Sequence, residues 1–345
     1  METRGIGVIR RAARLAARSG RRVLSVGSTE LELRRSRHAE YDVAIFHEFE
    51  PAPAGGGHQF LRAFVRELES RGLTVEQNRI SGRTRACLFN SFNFDFARLG
   101  RFARRDCRLV HRVDGPIGAY RGFDDGTDAR IGAINAELAA ATILQSRYSL
   151  EKHAKLGVAL RDPMVIPNAV DPTIFHPPER HEPLGGRPLR VIASSWSQNP
   201  RKGGDVLAWL DGNIDPERIE LTFVGQPSQS YTRITHEPPT DSHGVAKLLR
   251  EHDVYLAASR DDPCSNALLE ALACGLPAAY LDSGGHPELV GRGGLPFVTP
   301  EELPEVLGRL ARDLDAYRAG IVVPSLAEVA DRYLEVLGVE DGGRP

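Results

Sequence analysis

Long apolar runs are missing. No stretch of 18 or more apolar residues occurs, so no segment has the length of a membrane-spanning helix. The first 22 residues also lack the apolar centre of a secretory signal, and the expectation is a cytoplasmic protein. Cysteine is scarce: Cys87, Cys107, Cys264 and Cys274 form no CxxC pair and no metal-ligand spacing. That argues against a zinc site and for reduced thiols acting as small apolar side chains. An excess of one charge is lacking too, since the formal net charge is -2, and bulk electrostatics therefore recruit no nucleic acid. Neither G-x-G-x-x-G nor G-x-x-x-x-G-K-[ST] is present, which removes the main support for a dinucleotide oxidoreductase or a P-loop enzyme. The "DLD" at 313–315 lies in a helical pattern and makes no convincing metal motif.

What is there is a chain of 345 residues, 41% hydrophobic and 26% charged. That is the composition of a globular protein, and at about 150 residues per domain it has room for two cores. Its first 22 residues carry seven arginines against one glutamate, with Ile6, Ile9, Ala13, Ala16 and Ala17 near helical spacing. Two readings stand: a solvated leader, or a segment making peripheral contact with an anionic membrane at its inner face.

From Tyr41 onward, short apolar runs alternate with amphipathic stretches, the pattern of repeated β-α units and a parallel sheet. "YDVAIFHEF", "RACLFNSF", "RLVHRVDG", "ATILQS" and "PMVIPNAV" read as strands, with "HQFLRAFVRELESRG", "FDFARLGRFARR", "TDARIGAINAELA" and "RYSLEKHAKLG" as the helices between them. The last of these ends at Gly157, a suitable C′ residue. A Pro- and Gly-rich stretch interrupts the pattern before "LRVIASSW", "IELTFVGQ", "DVYLAASR" and "PAAYLD" resume it, with helices near 203–212, 242–252 and 265–274. The boundaries expected are a leader at 1–40, a first domain at 41–172, a linker at 173–189, a second domain at 190–325 and a C-terminal helical segment at 326–345, which can pack back on the first domain. The fold class is α/β: two doubly wound, Rossmann-like domains facing a central cleft. In such folds ligands sit beyond the C-terminal ends of the strands.

The stretch "DDPCSNALLEALACGLP" puts Asp262 in the turn after a strand and Glu270 inside an apolar helix stopped by Gly275 and Pro277. A carboxylate among Leu268, Leu269, Ala271 and Leu272 is costly unless donors reach it, and ribose hydroxyls are donors of the right kind. The other reading is a partly exposed helix residue or a core ion pair. Free N–H groups at the helix start favour an anion such as a phosphate.

This order of acid, turn, apolar helix with a second acid and "CGLP" resembles the E-x7-E element of retaining glycosyltransferases of family 4, which have the GT-B fold. Here it reads Asp262-x7-Glu270, one methylene short at the first acid. The resemblance implies that Asp262 and the adjoining Pro263, Cys264, Ser265 and Asn266 meet the donor sugar, while Glu270 holds the ribose. "SSWSQNPRKGG" is similar to the family's phosphate clamp, with Lys202-Gly203 in place and Ser197 where the family has arginine. Arg201, or Ser197 with Asn199, is then expected to complete the clamp; the bland alternative is a solvated loop. "PAGGGHQF" is similar to the family's glycine loop, so Gly56 and Gly57 are expected near the donor phosphates, or else in a plain helix-entry turn. "LVHRVDGP" implies His111 beside the reacting sugar and Asp114 as a group orienting the acceptor hydroxyl; a satisfied structural histidine is the competing reading. "VIPNAVDPTIFHP" matches the family before its linker at Asn168, Val170, Asp171, Phe175 and Pro177, and "LDSGGHPELVGRGG" matches the loop after the second acid, with Glu288 supporting it.

The resemblance covers residues from about 41 to 300 and implies a metal-independent, retaining hexosyl transfer from a nucleoside diphosphate sugar, a co-substrate, to an acceptor hydroxyl, with no cofactor. The first domain then presents the acceptor and the second binds the donor. The alternatives are a same-fold epimerase or phosphorylase, or a non-catalytic sugar-nucleotide or protein-binding module.

Overall fold

The computed structural model describes residues 38–49, 56–91 and 94–340. Most of the Arg-rich leader and residues 53–55 of the glycine loop lie outside them. Two six-stranded sheets organise the rest. The first contains β1 (Val43–Phe46), β2 (Val75–Gln77), β3 (Ala86–Asn90), β4 (Arg108–Val113), β5 (Ala141–Leu144) and β6 (Pro163–Val165), in the order β2-β1-β3-β4-β5-β6. The second contains β7 (Leu189–Ser195), β8 (Ile219–Gly225), β9 (Thr235–Glu237), β10 (Val254–Ala257), β11 (Ala278–Leu281) and β12 (Gly294–Phe297), in the order β12-β11-β10-β7-β8-β9. Every pairing is parallel, from Val43 opposite Val75 to Val224 opposite Glu237. Helices cover both faces, which is why β1, β3, β5, β10 and β11 are buried at every residue.

The expected strands are all present. Three that periodicity did not pick out, β2, β9 and β12, are short and lie at sheet edges. An edge strand needs only one partner and tolerates polar residues and proline, so its pattern is faint. Helix ends follow capping chemistry. Ser146 caps Arg147–Lys155 by accepting from the Ser149 amide, and Gly157 follows that helix at φ +73°. Ser265 caps Asn266–Ala273 through the Leu268 amide. Ser325 and Glu328 form a capping box at the start of Leu326–Leu337. That last helix packs against the first domain: Leu326, Val329 and Tyr333 share a core cluster with Val43, Phe60, Phe64 and Leu88, and the Tyr333 ring lies 5.0 Å from that of Phe64.

Each sheet reverses its strand order once, between β1 and β3 in the first domain and between β7 and β10 in the second. Loops leave such a switch point in opposite directions and open a crevice there. The domains bring these crevices face to face.

Candidate active site

A cavity of about 370 Å³ occupies the junction of the two switch points, walled by residues of both domains. The first domain supplies His47 after β1, Asn90 at the end of β3, Asp114 and Gly115 after β4, and Gln145 after β5. The second supplies Ser194–Ser197 at the end of β7 and the stretch from Ala258 to Ala267 after β10 except Arg260 and Asp261, with Glu270 one turn further. The domains touch at its floor: a Cβ on Gly115 would stand 2.6 Å from Cβ of Pro263, so only glycine permits the approach.

At the second-domain end the Lys202 ammonium donates to Asp262 Oδ2 at 2.9 Å and lies 4.6 Å from the centre of the Tyr120 ring. Burial alone would raise the Asp262 carboxyl, but Lys202 and His286 outweigh it and hold the group below its usual range. Burial likewise works against the Lys202 charge, and Asp262 and Tyr120 reverse that, leaving the ammonium more basic than a free lysine. The turn carrying Asp262 is built by close backbone approach: a Cβ on Gly284 would lie 2.3 Å from the Asp262 carbonyl oxygen, and one on Gly285 2.2 Å from that of Pro263. The two glycines thus press the loop after β11 onto the Asp262 turn.

Glu270 lines the cavity from the helix Asn266–Ala273 and, among the described residues, no donor reaches its carboxylate. Burial pushes its carboxyl up to about 8. A carboxylate in this state is poised to take hydrogen bonds from something that enters the cavity.

Three sequence expectations need correction. His111 does not reach the cavity; it is buried in β4, stacked on Phe89 at 4.2 Å and within 3.1 Å of the Asn135 amide. Burial drives it down to about 3, so it is a neutral core histidine. Arg201 points away from the cavity and pairs with Asp261. Asn199 accepts from the Arg201 amide and caps the short turn Pro200–Lys202. Of the proposed clamp, Lys202 and Ser197 face the cavity. Gly56 opens the first helix and Gly57 lines the cavity wall. Asp262, Pro263, Cys264, Ser265, Asn266 and Asp114 line it as well.

Arg201 and Asp261 belong to a bridge between domains. Asp261, at φ +52°, also receives the Tyr148 hydroxyl, with the Lys152 ammonium 3.7 Å away, both from the first-domain helix Arg147–Lys155. Glu288, expected to support its own loop, takes the Arg147 and Tyr148 amides at 2.8 Å each, across the domain boundary. Its carboxylate caps the positive end of that helix.

The residues that sequence reasoning missed lie at the first-domain end. His47 follows β1 at the switch point, and its Nε2 is 2.9 Å from Nδ1 of His58 on the helix Gly56–Ser70. Behind them the fully buried Arg112 donates to Asn90 Oδ1 at 2.6 Å, Asp114 Oδ1 at 2.9 Å and Asn168 Oδ1 at 2.8 Å. The signal that could have found His47 is its place immediately after the first strand, where a doubly wound sheet puts its ligands.

No helix among the described residues is long and apolar enough to cross a membrane. Residues 193–314 match the family described as glycosyl transferases group 1. A stretch of 161 residues is 29% identical to one subunit of human phosphatidylinositol N-acetylglucosaminyltransferase, covering 41% of this chain and 32% of the human protein, so the match spans about a third of that relative. Among solved structures, Anabaena HepE in complex with UDP and glucose superposes with a TM-score of 0.64 at 16% identity, over 86% of this chain and 100% of that one. Sucrose-phosphate synthase from Thermosynechococcus elongatus superposes with a TM-score of 0.63 at 15% identity, over 86% and 94%. Over 193–314 the chain thus matches the glycosyl transferases group 1 model, and its two-domain architecture is that of the GT-B fold.

Proposed function

We propose that the protein transfers a sugar from a nucleoside diphosphate sugar to an acceptor hydroxyl, with retention of configuration, without a metal and in the manner of family 4. The observation that carries this is the meeting, in one cavity at both switch points, of the Lys202–Asp262 pair, the start of the helix Asn266–Ala273 and the Glu270 carboxylate, which has no donor among the described residues. Glu270 accepts from the ribose hydroxyls. The diphosphate lies against the helix start, where amides point outward, and draws the Lys202 ammonium from Asp262. Asp262, released, accepts from a hydroxyl of the donor sugar. As the bond from the anomeric carbon to the phosphate oxygen breaks, negative charge grows on that oxygen beside Lys202. The acceptor oxygen bonds to the anomeric carbon from the same face, and its proton passes to the departing phosphate. Asp114 orients the acceptor hydroxyl. Anabaena HepE, solved with UDP and glucose, supports a nucleotide-sugar donor. A cytoplasmic location, with residues 1–40 as a segment for peripheral membrane contact, rests on sequence alone.

Thermal unfolding with a panel of nucleoside diphosphates and their sugars tests the donor site, comparing the parent with Glu270→Gln and Lys202→Ala. One nucleotide is expected to raise the midpoint of the parent and to lose that effect in both variants. No stabilisation by any of them at millimolar concentration overturns the assignment.

A further inference from the structure

Building on the proposed transfer reaction, we propose that the first-domain end of the cavity is a subsite for an uncharged polyol ring, with Gln145 and Asp114 as the groups that bind it. The part of the acceptor that enters carries hydroxyls and no phosphate or carboxylate.

Among the described residues the cations near this end are already committed, Arg62 lying over the Phe49 ring. Arg112 spends both terminal nitrogens on Asn90, Asp114 and Asn168. Lys202 pairs with Asp262, and in the donor complex it turns to the diphosphate. Arg201 pairs with Asp261 outside the cavity.

The His47 ring adds no charge, and its state follows from hydrogen bonding rather than from titration. Because Asn90 Oδ1 accepts from Arg112, the amide nitrogen of Asn90 is what faces His47 Nδ1, at 3.4 Å. His47 Nδ1 is therefore an acceptor, its proton sits on Nε2, and that N–H donates to His58 Nδ1. The backbone of His47 is held as well: its N–H donates to Asn78 Oδ1 at 2.9 Å, and its carbonyl accepts from Asn78 Nδ2 at 2.8 Å. Burial and then the neighbouring His58, Arg112 and Arg62 lower His47 to about 3, in agreement with a neutral ring.

Among the described residues, Gln145 and Asp114 are left as acceptors in this wall. Gln145 is 2% exposed and lines the cavity; its amide nitrogen donates to the Val113 carbonyl at 3.3 Å, while among the described residues nothing donates to its Oε1. Asp114 accepts from Arg112 and from Ser91 yet keeps part of its carboxylate open to the cavity. An amide oxygen and a carboxylate are matched by O–H donors. An anionic group placed here would sit beside Asp114, with no uncommitted arginine or lysine among the described residues to compensate its lost hydration.

The test is saturation-transfer NMR on the parent protein with four probes: methyl α-glucoside and inositol as neutral rings, glucose 6-phosphate and glucuronate as anionic ones. Each is measured with and without the nucleoside diphosphate that raises the thermal midpoint most. The neutral rings are expected to bind at least about tenfold more tightly than the anionic ones. Gln145→Met should weaken the neutral rings by about tenfold, and Gln145→Lys should move the preference toward the anionic probes. Equal or tighter binding of the anionic rings by the parent, binding of none of the four, or neutral-ring binding untouched in Gln145→Met overturns the subsite. The parent comparison stands even if a variant does not fold. Failure of every nucleotide to stabilise the protein refutes the donor-site reading instead, and the measurement without nucleotide still decides the polyol question.

Discussion

Lys202 and Asp262 are 60 residues apart in sequence and 2.9 Å apart in space, joined across the mouths of two neighbouring β-α loops of the second domain. In the proposed transfer reaction the pair is the hinge of the donor site: intact, it neutralises two charges; opened, it offers one cation and one acceptor to a ligand.

Removing one member should therefore expose the cost of the other. Lys202→Met is expected to lower unfolding stability by about 1–3 kcal/mol in chemical denaturation, since it strands the Asp262 carboxylate, while Lys202→Met with Asp262→Leu should recover much of the loss. The Asp262 carboxyl is held below its ordinary 3.8, so its contribution is complete above that pH and is lost as pH falls through the lower, folded value. The stability difference between the parent and Asp262→Asn should shrink in acid below about pH 4.

Glu270 works in the opposite sense. Its carboxyl is raised from 4.5 to about 8, so the folded state holds a proton that the unfolded chain releases, and stability falls as pH rises through that window. Glu270→Gln should match the parent at pH 4.5 and exceed it by about 1–2 kcal/mol near pH 8.5. Nucleotide binding, which needs the charged form, should release about one proton per site at pH 7, read by calorimetry in buffers of different ionisation enthalpy. No proton release in the parent, or release that persists in Glu270→Gln, would contradict this.

Contact between the domains includes Glu288, whose carboxylate takes two amides at the start of the helix Arg147–Lys155. Glu288→Ala should cost no more than about 1 kcal/mol in this exposed position. It should nonetheless widen the particle in small-angle scattering without nucleotide and weaken nucleotide affinity severalfold. An unaltered radius of gyration together with unaltered affinity would show that the bridge is incidental.

Gly284 sits at φ +64° against the Asp262 carbonyl oxygen. An alanine there combines a left-handed backbone with a clash, so Gly284→Ala should destabilise by about 2–4 kcal/mol and abolish nucleotide binding through displacement of the Asp262 turn. Nucleotide affinity preserved in a folded Gly284→Ala protein would refute the link.

His111 offers a contrast. As a core residue stacked on Phe89, it should tolerate Leu with a stability change of about 1–2 kcal/mol and nucleotide affinity within about twofold of the parent. A tenfold loss of affinity in stably folded His111→Leu would return it to the site.

The alternation of apolar runs and amphipathic stretches was enough to read two parallel sheets, because a buried parallel strand needs a continuous apolar run and its crossover needs a helix. Spacing was also enough to bring Asp262, Glu270 and Lys202 to the cavity wall: each follows a strand of the second domain, and strand ends point to the crevice whatever the details of packing. Direction within a loop was not legible. Arg201 and Lys202 are adjacent cations, and only the Asp261 carboxylate, brought in from another β-α loop, turns one outward and leaves the other to face Asp262. The same holds for "LVHRVDG". Five of the six residues of β4 are buried, so no polar and apolar alternation marks which face meets the cleft, and His111 and Arg112 could exchange places on sequence grounds. Tertiary structure settles it: helix Thr127–Leu138 brings Asn135 to His111, and the crevice side brings Asn90, Asp114 and Asn168 to Arg112. Sequence determined the architecture and the strand ends where chemistry belongs, since both follow from local hydrophobic pattern. Which side chain of an adjacent pair turns toward the crevice side was decided by partners distant in the chain, through hydrogen bonds that no local pattern encodes.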